Sequence, residues 1–306
     1  MTGLFFVEKD RRKRYNFQMD ILPQLVLNSI IAGAIYALVA LGFNLIYGAT
    51  KFFNLTHGVI AVIGAYAFLF FGKTLGLNLF LSVFIGIAIA AIAGYGLDKL
   101  IYLPLRKRKA SNMALLIASL GAFTALQAVI AILFTSQFQT LWRNYSTQKI
   151  YEIYGGVITQ TQLIILISGI LITAALVLSF KYTLFGKMVR AVSDDEEAAK
   201  IIGINTDKII SRVFIIGSAI AGLAGILIGF DTGIEPTMGM SLLLKGVIVS
   251  VIGGVGNIYG GFLGAFLLGF AENFGIWKIS GEWKDAIAFG LLIIFLLFRP
   301  RGIMKK

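Results

Sequence analysis

The sequence predicts an all-α integral membrane protein. Hydrophobic residues make up 58% of the 306 residues and charged residues only 14%, whereas a soluble domain carries about 25% charged residues. Apolar stretches recur along the whole chain, and many approach the length of about 20 residues that a membrane-crossing helix needs. The basic residues fall in short runs between these stretches, so the formal charge of +12 does not indicate a nucleic-acid partner.

About eight hydrophobic segments are expected to form membrane helices, with no soluble domain between them. They are 22–48, 57–72, 79–97, 112–135, 160–180, 210–230, 242–271 and 284–298. The longest connections are 136–159 and 181–209. We therefore expect residues 1–20 to form a basic cytoplasmic tail and residues 21–306 to form one transmembrane domain.

Basic residues favour the cytoplasmic side of a membrane, and this preference predicts the orientation. Four basic clusters should face the cytoplasm: Arg11–Arg14, Arg106–Lys109, the 181–212 loop and Arg299–Lys306. Three apolar segments lie between the first two clusters, which is an odd number. We therefore expect 57–72, the shortest segment, to be a half-helix and both termini to be cytoplasmic.

Segment 242–271 is too long for one simple helix and is interrupted by Gly253, Gly254, Gly256, Asn257, Gly260 and Gly261. Two half-helices that meet inside the membrane would explain both the length of the segment and its interruption. Broken helices of this kind line the substrate path in transporters. Close packing of small residues is the alternative explanation, and the two do not exclude each other.

Polar residues near the first two segments are candidates for the substrate path. His57, the only histidine, is either a path-lining donor or a polar group at the start of a helix. Asn44, Asn54 and Thr56 carry the same ambiguity, since Asn54 or Thr56 can cap the following helix.

The loop at 181–209 contains a short helix with strong end signals, predicted over 194–202. Ser193 and Glu196 match a capping box, and Gly203 stands where a helix usually ends. Four acidic residues favour the first turn through the helix dipole: Asp194, Asp195, Glu196 and Glu197.

An isolated helix of this length is unstable in water, so it must dock on another surface. Its later face carries Ala198, Ile201 and Ile202. A helix of this kind suits the coupling of a transport subunit to a separate motor. A capped connector is the alternative interpretation.

The sequence does not predict an enzyme, a metal site or a bound cofactor. The chain has no cysteine, and the near match to a phosphate-binding loop at Gly72–Thr74 has Ala67 at its first glycine position. Asp98 and Glu272 lie near segment ends and are expected to be solvated. The scarcity of acids at mid-membrane favours an external motor over ion coupling.

Three blocks of sequence resemble the permease subunits of branched-chain amino-acid ABC importers, the LivH type. The first is Gly33–Gly48 (GAIYALVALGFNLIYG), continuing through Phe53–Gly58 (FNLTHG). The second is the loop from Gly186 to Asp207. The third runs from Lys245 to Gly261 and is followed by RPRG at 299–302. The resemblance extends from about residue 25 to residue 302.

This resemblance implies a multi-subunit importer in a bacterial inner membrane. A second permease chain, two ATP-binding subunits and an extracytoplasmic substrate-binding protein would complete it. The coupling residues would be Asp194, Glu197, Ala198, Ile201 and Gly203. The path would involve Asn44, Asn54, Thr56, His57, Gly254, Gly256 and Asn257.

Other functions stay open at this point. The same machine could carry urea, short amides or another amino acid. An ion-coupled carrier or a channel that acts alone is a further alternative.

Overall fold

The structure is a computed structural model that describes residues 3–141 and 149–304, with side chains described from residue 21 onward. Its helices in chain order are α1 (Gly3–Thr50), α2 (Thr56–Phe68), α3 (Leu79–Leu97), α4 (Leu103–Lys107), α5 (Asn112–Phe134), α6 (Gln160–Tyr182), α7 (Leu184–Asp194), α8 (Glu196–Ile201), α9 (Thr206–Thr232), α10 (Met238–Gly253), α11 (Ile258–Ile276) and α12 (Lys284–Phe298). Strands β1 (Ile150–Ile153) and β2 (Gly156–Thr159) pair in an antiparallel hairpin. Turns of π-helix at Leu69–Thr74 and Asp98–Tyr102 prolong α2 and α3.

The predicted fold class is confirmed. Within the described residues, six helices are long and apolar enough to cross a membrane, or seven spans if a bent pair of helices counts as one. That pair is α10 and α11, which meet at 113° and form the broken element expected in 242–271. Helix α12 coincides with the last predicted segment but has only 15 residues.

Side-chain caps set where several helices begin. Asn78 accepts hydrogen bonds from the backbone N–H groups of Phe80 (2.8 Å) and Leu81 (3.2 Å) at the start of α3. Thr159 and Gln162 form a reciprocal capping box at the start of α6. These bonds satisfy N–H groups that a helix leaves without internal partners.

One end of the helical bundle, here called the loop face, carries the 181–209 loop. Lys51, just after α1, donates a 3.4 Å hydrogen bond to Ser193 in α7. Asn112, at the start of α5, donates to the carbonyl of Lys51 at 3.5 Å. The end of α1, the start of α5 and the loop therefore share this face.

The opposite end, here called the hairpin face, carries the β-hairpin. Lys73, at the end of the α2 extension, donates a 2.8 Å hydrogen bond to the carbonyl of Thr140. Gln139 pairs through its backbone with Ile234, between α9 and α10. Helices α2, α5 and α9 therefore end on the hairpin face.

The membrane-spanning part of α1 begins on the hairpin face, contrary to the predicted orientation of residues 1–20. Gln24 makes two hydrogen bonds with the backbone of Val157 in the hairpin, at 2.7 and 3.1 Å. Helix α1 then runs without interruption to Thr50 at the loop face. The cluster Arg11–Arg14 thus precedes the hairpin face. Arg106–Lys109, the 181–212 loop and the described part of the last cluster, residues 299–304, accompany the loop face.

Helix α2 also differs from the half-helix that parity suggested. With its π-helical turn it forms a continuous helix of 19 residues, Thr56–Thr74, which corresponds to about 28 Å. It starts beside Val39, about three turns before the end of α1. Because α1 starts on the hairpin face, three crossings bring the chain from Arg11–Arg14 to Arg106–Lys109 at the loop face. The odd number of segments therefore does not require a half-helix, and α2 can cross the membrane.

Helices α1, α2 and α9 form the buried centre, where glycines permit close contact. A Cβ atom added to Gly64 would lie 2.5 Å from the Cα atom of Gly222. A Cβ atom added to Gly42 would lie 2.7 Å from the carbonyl oxygen of Gly217. At these positions the glycines serve helix packing, as small residues do between membrane helices.

Candidate transport site and coupling loop

A cavity of about 510 Å³ opens at the loop face between α1, α6, α7 and the start of α11. Its lining is mostly apolar with a few polar and charged groups: Asn44, Leu45, Gly48, Val177, Phe180, Lys181, Val189, Arg190, Ser193, Asp194, Gly256, Asn257, Ile258 and Tyr259. A concave, largely apolar space with a few convergent polar groups is typical of a small-molecule site.

The break between α10 and α11 forms part of the cavity wall. Gly254 and Gly256 have φ angles of 108° and 82° there, which side-chain-bearing residues rarely adopt. Asn257 then starts α11 by accepting a 3.1 Å hydrogen bond from the N–H of Gly260.

Asn44 on α1 binds this break directly. Its Oδ1 accepts a 2.9 Å hydrogen bond from the N–H of Gly256, and its Nδ2 donates to the carbonyl of Asn257 at 3.5 Å. A broken helix exposes backbone groups that must find partners inside a membrane protein. The Asn44 side chain supplies such partners and connects α1 to the break.

The predicted path residues separate into two groups in the structure. Asn44, Gly256 and Asn257 line the cavity. Gly254 instead faces the segment after α12, since an added Cβ atom would lie 2.5 Å from the carbonyl oxygen of Met304. In the same place Ile303 donates its N–H to Ile252 at 2.8 Å.

Asn54 and Thr56 lie in a buried polar network away from the cavity wall. Asn54 Oδ1 accepts hydrogen bonds from the Thr56 N–H (3.1 Å), the Thr56 hydroxyl (2.6 Å) and the Tyr102 hydroxyl (2.9 Å). Both side chains are fully buried, at 1% and 0% exposure. The network joins the chain between α1 and α2 to Tyr102 at the end of the α3 extension.

His57 is also fully buried, between α1 and α2. Its Nε2 lies 3.2 Å from the carbonyl oxygen of Val39, and its ring meets the edge of Phe43 at 6.2 Å between centroids. Its Nδ1 has no hydrogen-bond partner. The side chain does not line the cavity, so the geometry agrees with a packed, backbone-bonded histidine.

The loop helix begins later than its sequence signals suggested. Helix α8 starts at Glu196, and its cap is Asp195, which accepts hydrogen bonds from the N–H groups of Glu197 (2.9 Å) and Ala198 (3.0 Å). Ser193 belongs to the preceding helix, α7. The predicted Ser193 capping box is therefore wrong, because α7 continues through the residues assigned to the cap.

The exposed end of α8 is apolar. Ile201 is 85% exposed and Ile202 72% exposed, whereas Ala199 is buried against the bundle. Gly203 follows with a φ of 88°, as expected of a residue that ends a helix. Ala198 and Ile201 thus lie on an open surface.

Charged residues on α8 stabilise the helix itself. Lys200 lies 2.9 Å from Glu196 and 3.4 Å from Glu197, and the hydrogen bond to Glu196 raises the pKa of Lys200. Glu197 is therefore engaged within α8. Asp194 lies apart from this pair and lines the cavity.

Helix α7 connects the exposed tip to the cavity. Its buried Val189 and its Ser193 line the cavity wall. Arg190 donates a hydrogen bond to the carbonyl of Phe180 at the end of α6. Helix α7 therefore lies between α8 and the cavity.

Asp98 and Glu272, expected to be solvated, are instead fully buried and paired. Asp98 accepts from Arg106 at 2.9 Å and from the Ser211 hydroxyl at 2.6 Å, which joins α3 to α9. The prediction was wrong because hydropathy ended the two segments at residues 97 and 271, whereas the helices continue past both acids, to Tyr102 and Ile276. Burial of a carboxylate requires such partners.

Glu272 belongs to a second charged cluster that sequence analysis did not assemble. It forms an ion pair with Lys245 of α10 and accepts a 2.6 Å hydrogen bond from the Tyr36 hydroxyl. Lys245 also lies 2.8 Å from Asp285 at the start of α12. The sequence signal that could have predicted this pair is a lysine and a glutamate in or beside apolar segments, since charged residues are costly in a membrane unless they are paired.

Comparison with known proteins adds three findings. The family described as "Branched-chain amino acid transport system / permease component" matches residues 25–296. The high-affinity branched-chain amino acid transport system permease protein LivH of Escherichia coli K12 is 33% identical over 92% of this chain and 95% of its own length. The corresponding protein BraD of Pseudomonas aeruginosa is 33% identical over 93% and 96%.

A solved structure shows a similar fold. The structure of PsaBC from Streptococcus pneumoniae in complex with Fab superposes with a TM-score of 0.53, covering 92% of this chain and 95% of the matched chain. The sequence identity is 15%, so the likeness concerns the fold alone.

Proposed function

Because this chain belongs to the family of permease components of branched-chain amino acid transport systems, we propose that it is the membrane subunit of an ATP-driven importer for leucine, isoleucine and valine. It works beside a second, homologous permease chain. Two ATP-binding subunits drive the pair of permease chains from the cytoplasmic side, and a binding protein delivers the amino acid from the other side.

The loop face is the cytoplasmic face in this proposal. It carries Arg106–Lys109, the basic residues of the 181–212 loop, and Arg299 and Arg301. Such an excess of Lys and Arg is typical of the cytoplasmic side. The hairpin face is then extracytoplasmic and receives the binding protein.

The observation that carries the proposal is the continuous route from the exposed tip of α8 to the cavity. Ile201 and Ile202 are large apolar side chains left open to solvent on a capped helix. Exposed apolar groups on an ordered element are suited to a protein partner. The ATP-binding subunit covers this tip, and α7 transmits its movement to the cavity wall.

The cavity is the cytoplasmic vestibule of the path. Leu45, Val177 and Ile258 supply an apolar lining suited to branched side chains. Asn44 and Asn257 supply hydrogen-bonding groups, although both also hold the helix break. Movement of α7 and of the break opens and closes this space.

Purification of the tagged chain from native membranes tests the assembly. We expect two ATP-binding subunits and a second permease chain to co-purify in mild detergent. Ile201→Asp should abolish co-purification of the ATP-binding subunits, and Ile201→Leu should retain it. Isolation of the chain alone, or as a homo-oligomer, would contradict the proposal.

Uptake into proteoliposomes tests the cargo. The complete complex, supplied with ATP and loaded binding protein, should accumulate leucine, isoleucine and valine. Accumulation of leucine by the isolated chain without ATP would support a carrier instead. Preferential uptake of urea or a short amide would support the same type of ATP-driven importer with a different substrate.

A further inference from the structure

The charged cluster near the hairpin face joins four helices. Glu272 of α11 is fully buried, Lys245 of α10 has a side chain only 12% exposed, and Asp285 of α12 is 71% exposed. Tyr36 of α1 completes the set through its hydroxyl bond to Glu272. The cluster forms a short row of charges that leads from the surface into the protein.

The two carboxylates of this row differ in how firmly they are held. Glu272 has Lys245, the Tyr36 hydroxyl and, at 3.8 Å, Lys284 as neighbours. Asp285 contacts Lys245 at 2.8 Å and is otherwise largely open to solvent. A buried carboxylate cannot leave its cation without a large cost, whereas an exposed ion pair is worth little. Asp285 is therefore the exchangeable partner of Lys245.

An α-amino acid carries the same two charges as this exchangeable pair, attached to a single carbon atom. Its carboxylate can replace that of Asp285 on Lys245, and its ammonium group can then bind the carboxylate that Asp285 has freed. Each charge keeps an opposite partner, so the exchange leaves no charge unpaired. Lys245 has three N–H groups and can retain its bond to Glu272 throughout.

We propose that Lys245 and Asp285 form an entrance site that selects zwitterionic amino acids, with Glu272 and Tyr36 positioning Lys245. Glu272 lies in the last turns of α11 and Asp285 in the first turn of α12, next to the hairpin face. The inference rests on the proposed function, in which the hairpin face receives the amino acid.

The test uses the complete complex in proteoliposomes with ATP and leucine-loaded binding protein. Leucine uptake and ATP hydrolysis are measured together for Asp285→Asn and for the double variant Lys245→Met/Glu272→Gln. The double variant removes both buried charges at once, so it leaves no unpaired charge in the core. Glu282→Gln is the matched control, because Glu282 is an exposed acid in the turn just before α12.

We expect both variants to lower the amount of leucine moved per ATP by about tenfold, the effect of losing one charge-assisted contact. Thermal unfolding and ATP hydrolysis stimulated by the binding protein should stay close to the wild type. The control should match the wild type in every measurement. A merely structural cluster would instead change unfolding and lower uptake and ATP hydrolysis together.

Several results would overturn the inference. Wild-type uptake per ATP in Asp285→Asn, or in the double variant, would remove the site from the path. An equal loss of uptake and ATP hydrolysis would assign the cluster to structure. If the wild-type complex moves no amino acid, the proposed function itself fails. If it moves leucine and the variants do as well, only the entrance site fails.

Discussion

Asn44 Oδ1 accepts a 2.9 Å hydrogen bond from the backbone N–H of Gly256, although the two residues are 212 positions apart. The bond joins the central helix α1 to the break between α10 and α11. Both residues line the same cavity. Replacement of the side chain would therefore affect the cavity through the helix break as well as through its own surface.

Asn44→Leu keeps the approximate size of the side chain but removes its acceptor and donor. The Gly256 N–H would lose its partner in a part-buried site, which costs about 1–3 kcal/mol. We expect a lower unfolding temperature and a leucine uptake reduced by about tenfold. Asn28→Leu is the control on the same helix, since Asn28 is exposed and far from the break and loses only an exposed hydrogen bond from Gln24, at 2.9 Å. Equal effects of the two variants would contradict a special role for Asn44.

Ile201→Asp and Ala198→Asp place a charge on the open surface of α8. Neither side chain is buried in the chain itself, so both variants should fold and insert normally. A carboxylate at a surface that a partner desolvates is costly, and ATP-driven uptake should be abolished. Uptake and unfolding are measured side by side, with Ile201→Leu as the conservative control. Normal uptake in the aspartate variants would remove α8 from the coupling surface.

Gly254→Val tests the helix break. Gly254 has a φ of 108°, and an added Cβ atom would approach the Met304 carbonyl oxygen at 2.5 Å. A β-branched residue there is strained by roughly 1–3 kcal/mol, so we expect lower stability and lower uptake. Gly290→Val is the control, because a Cβ atom added to Gly290 would meet no described atom within 4 Å beyond the backbone of its own helix and its chain neighbours. An unchanged Gly254→Val protein would indicate that the break tolerates a regular backbone.

Cysteine labelling tests the orientation of α1. The chain contains no cysteine, so single cysteines can be introduced without removing others. Asn16→Cys should react with a membrane-impermeant maleimide from the same side as Tyr154→Cys in the hairpin, which is 96% exposed. Ile202→Cys on the loop face should react only after the membrane is opened. Asn16→Cys behaving like Ile202→Cys would show that α1 does not cross as its contacts indicate.

Hydropathy and glycine content predicted most of the fold. The apolar runs coincide with the observed helices, and the glycines at 253–261 correctly indicated the broken pair. The orientation of the N-terminal segment could not be obtained in this way, because it depends on a contact between Gln24 and Val157. The preference of basic residues for the cytoplasmic side is statistical and need not hold for one cluster. A parity argument gives the side of a terminus only when it is known which segments cross the membrane.

The candidate site was predictable only in part. Asn44 was singled out as a polar residue in an apolar segment and Asn257 as part of the glycine-rich break, yet the hydrogen bond between them is a tertiary contact. Asn54 and His57 looked the same in sequence but are buried in packing networks. The Lys245–Glu272 pair was missed because Glu272 was judged by its position at a segment end and was not considered together with Lys245.

The contact of residues 303 and 304 with the break has a consequence for biosynthesis. Ile303 and Met304 donate backbone hydrogen bonds to Ile252 and Gly253, which lie about fifty residues earlier and beside the cavity wall. These two bonds therefore cannot form until the ribosome has made α12 and the residues that follow it. A chain that stops before residue 303 would lack both bonds, so the break between α10 and α11 would be held less firmly than in a chain that contains them.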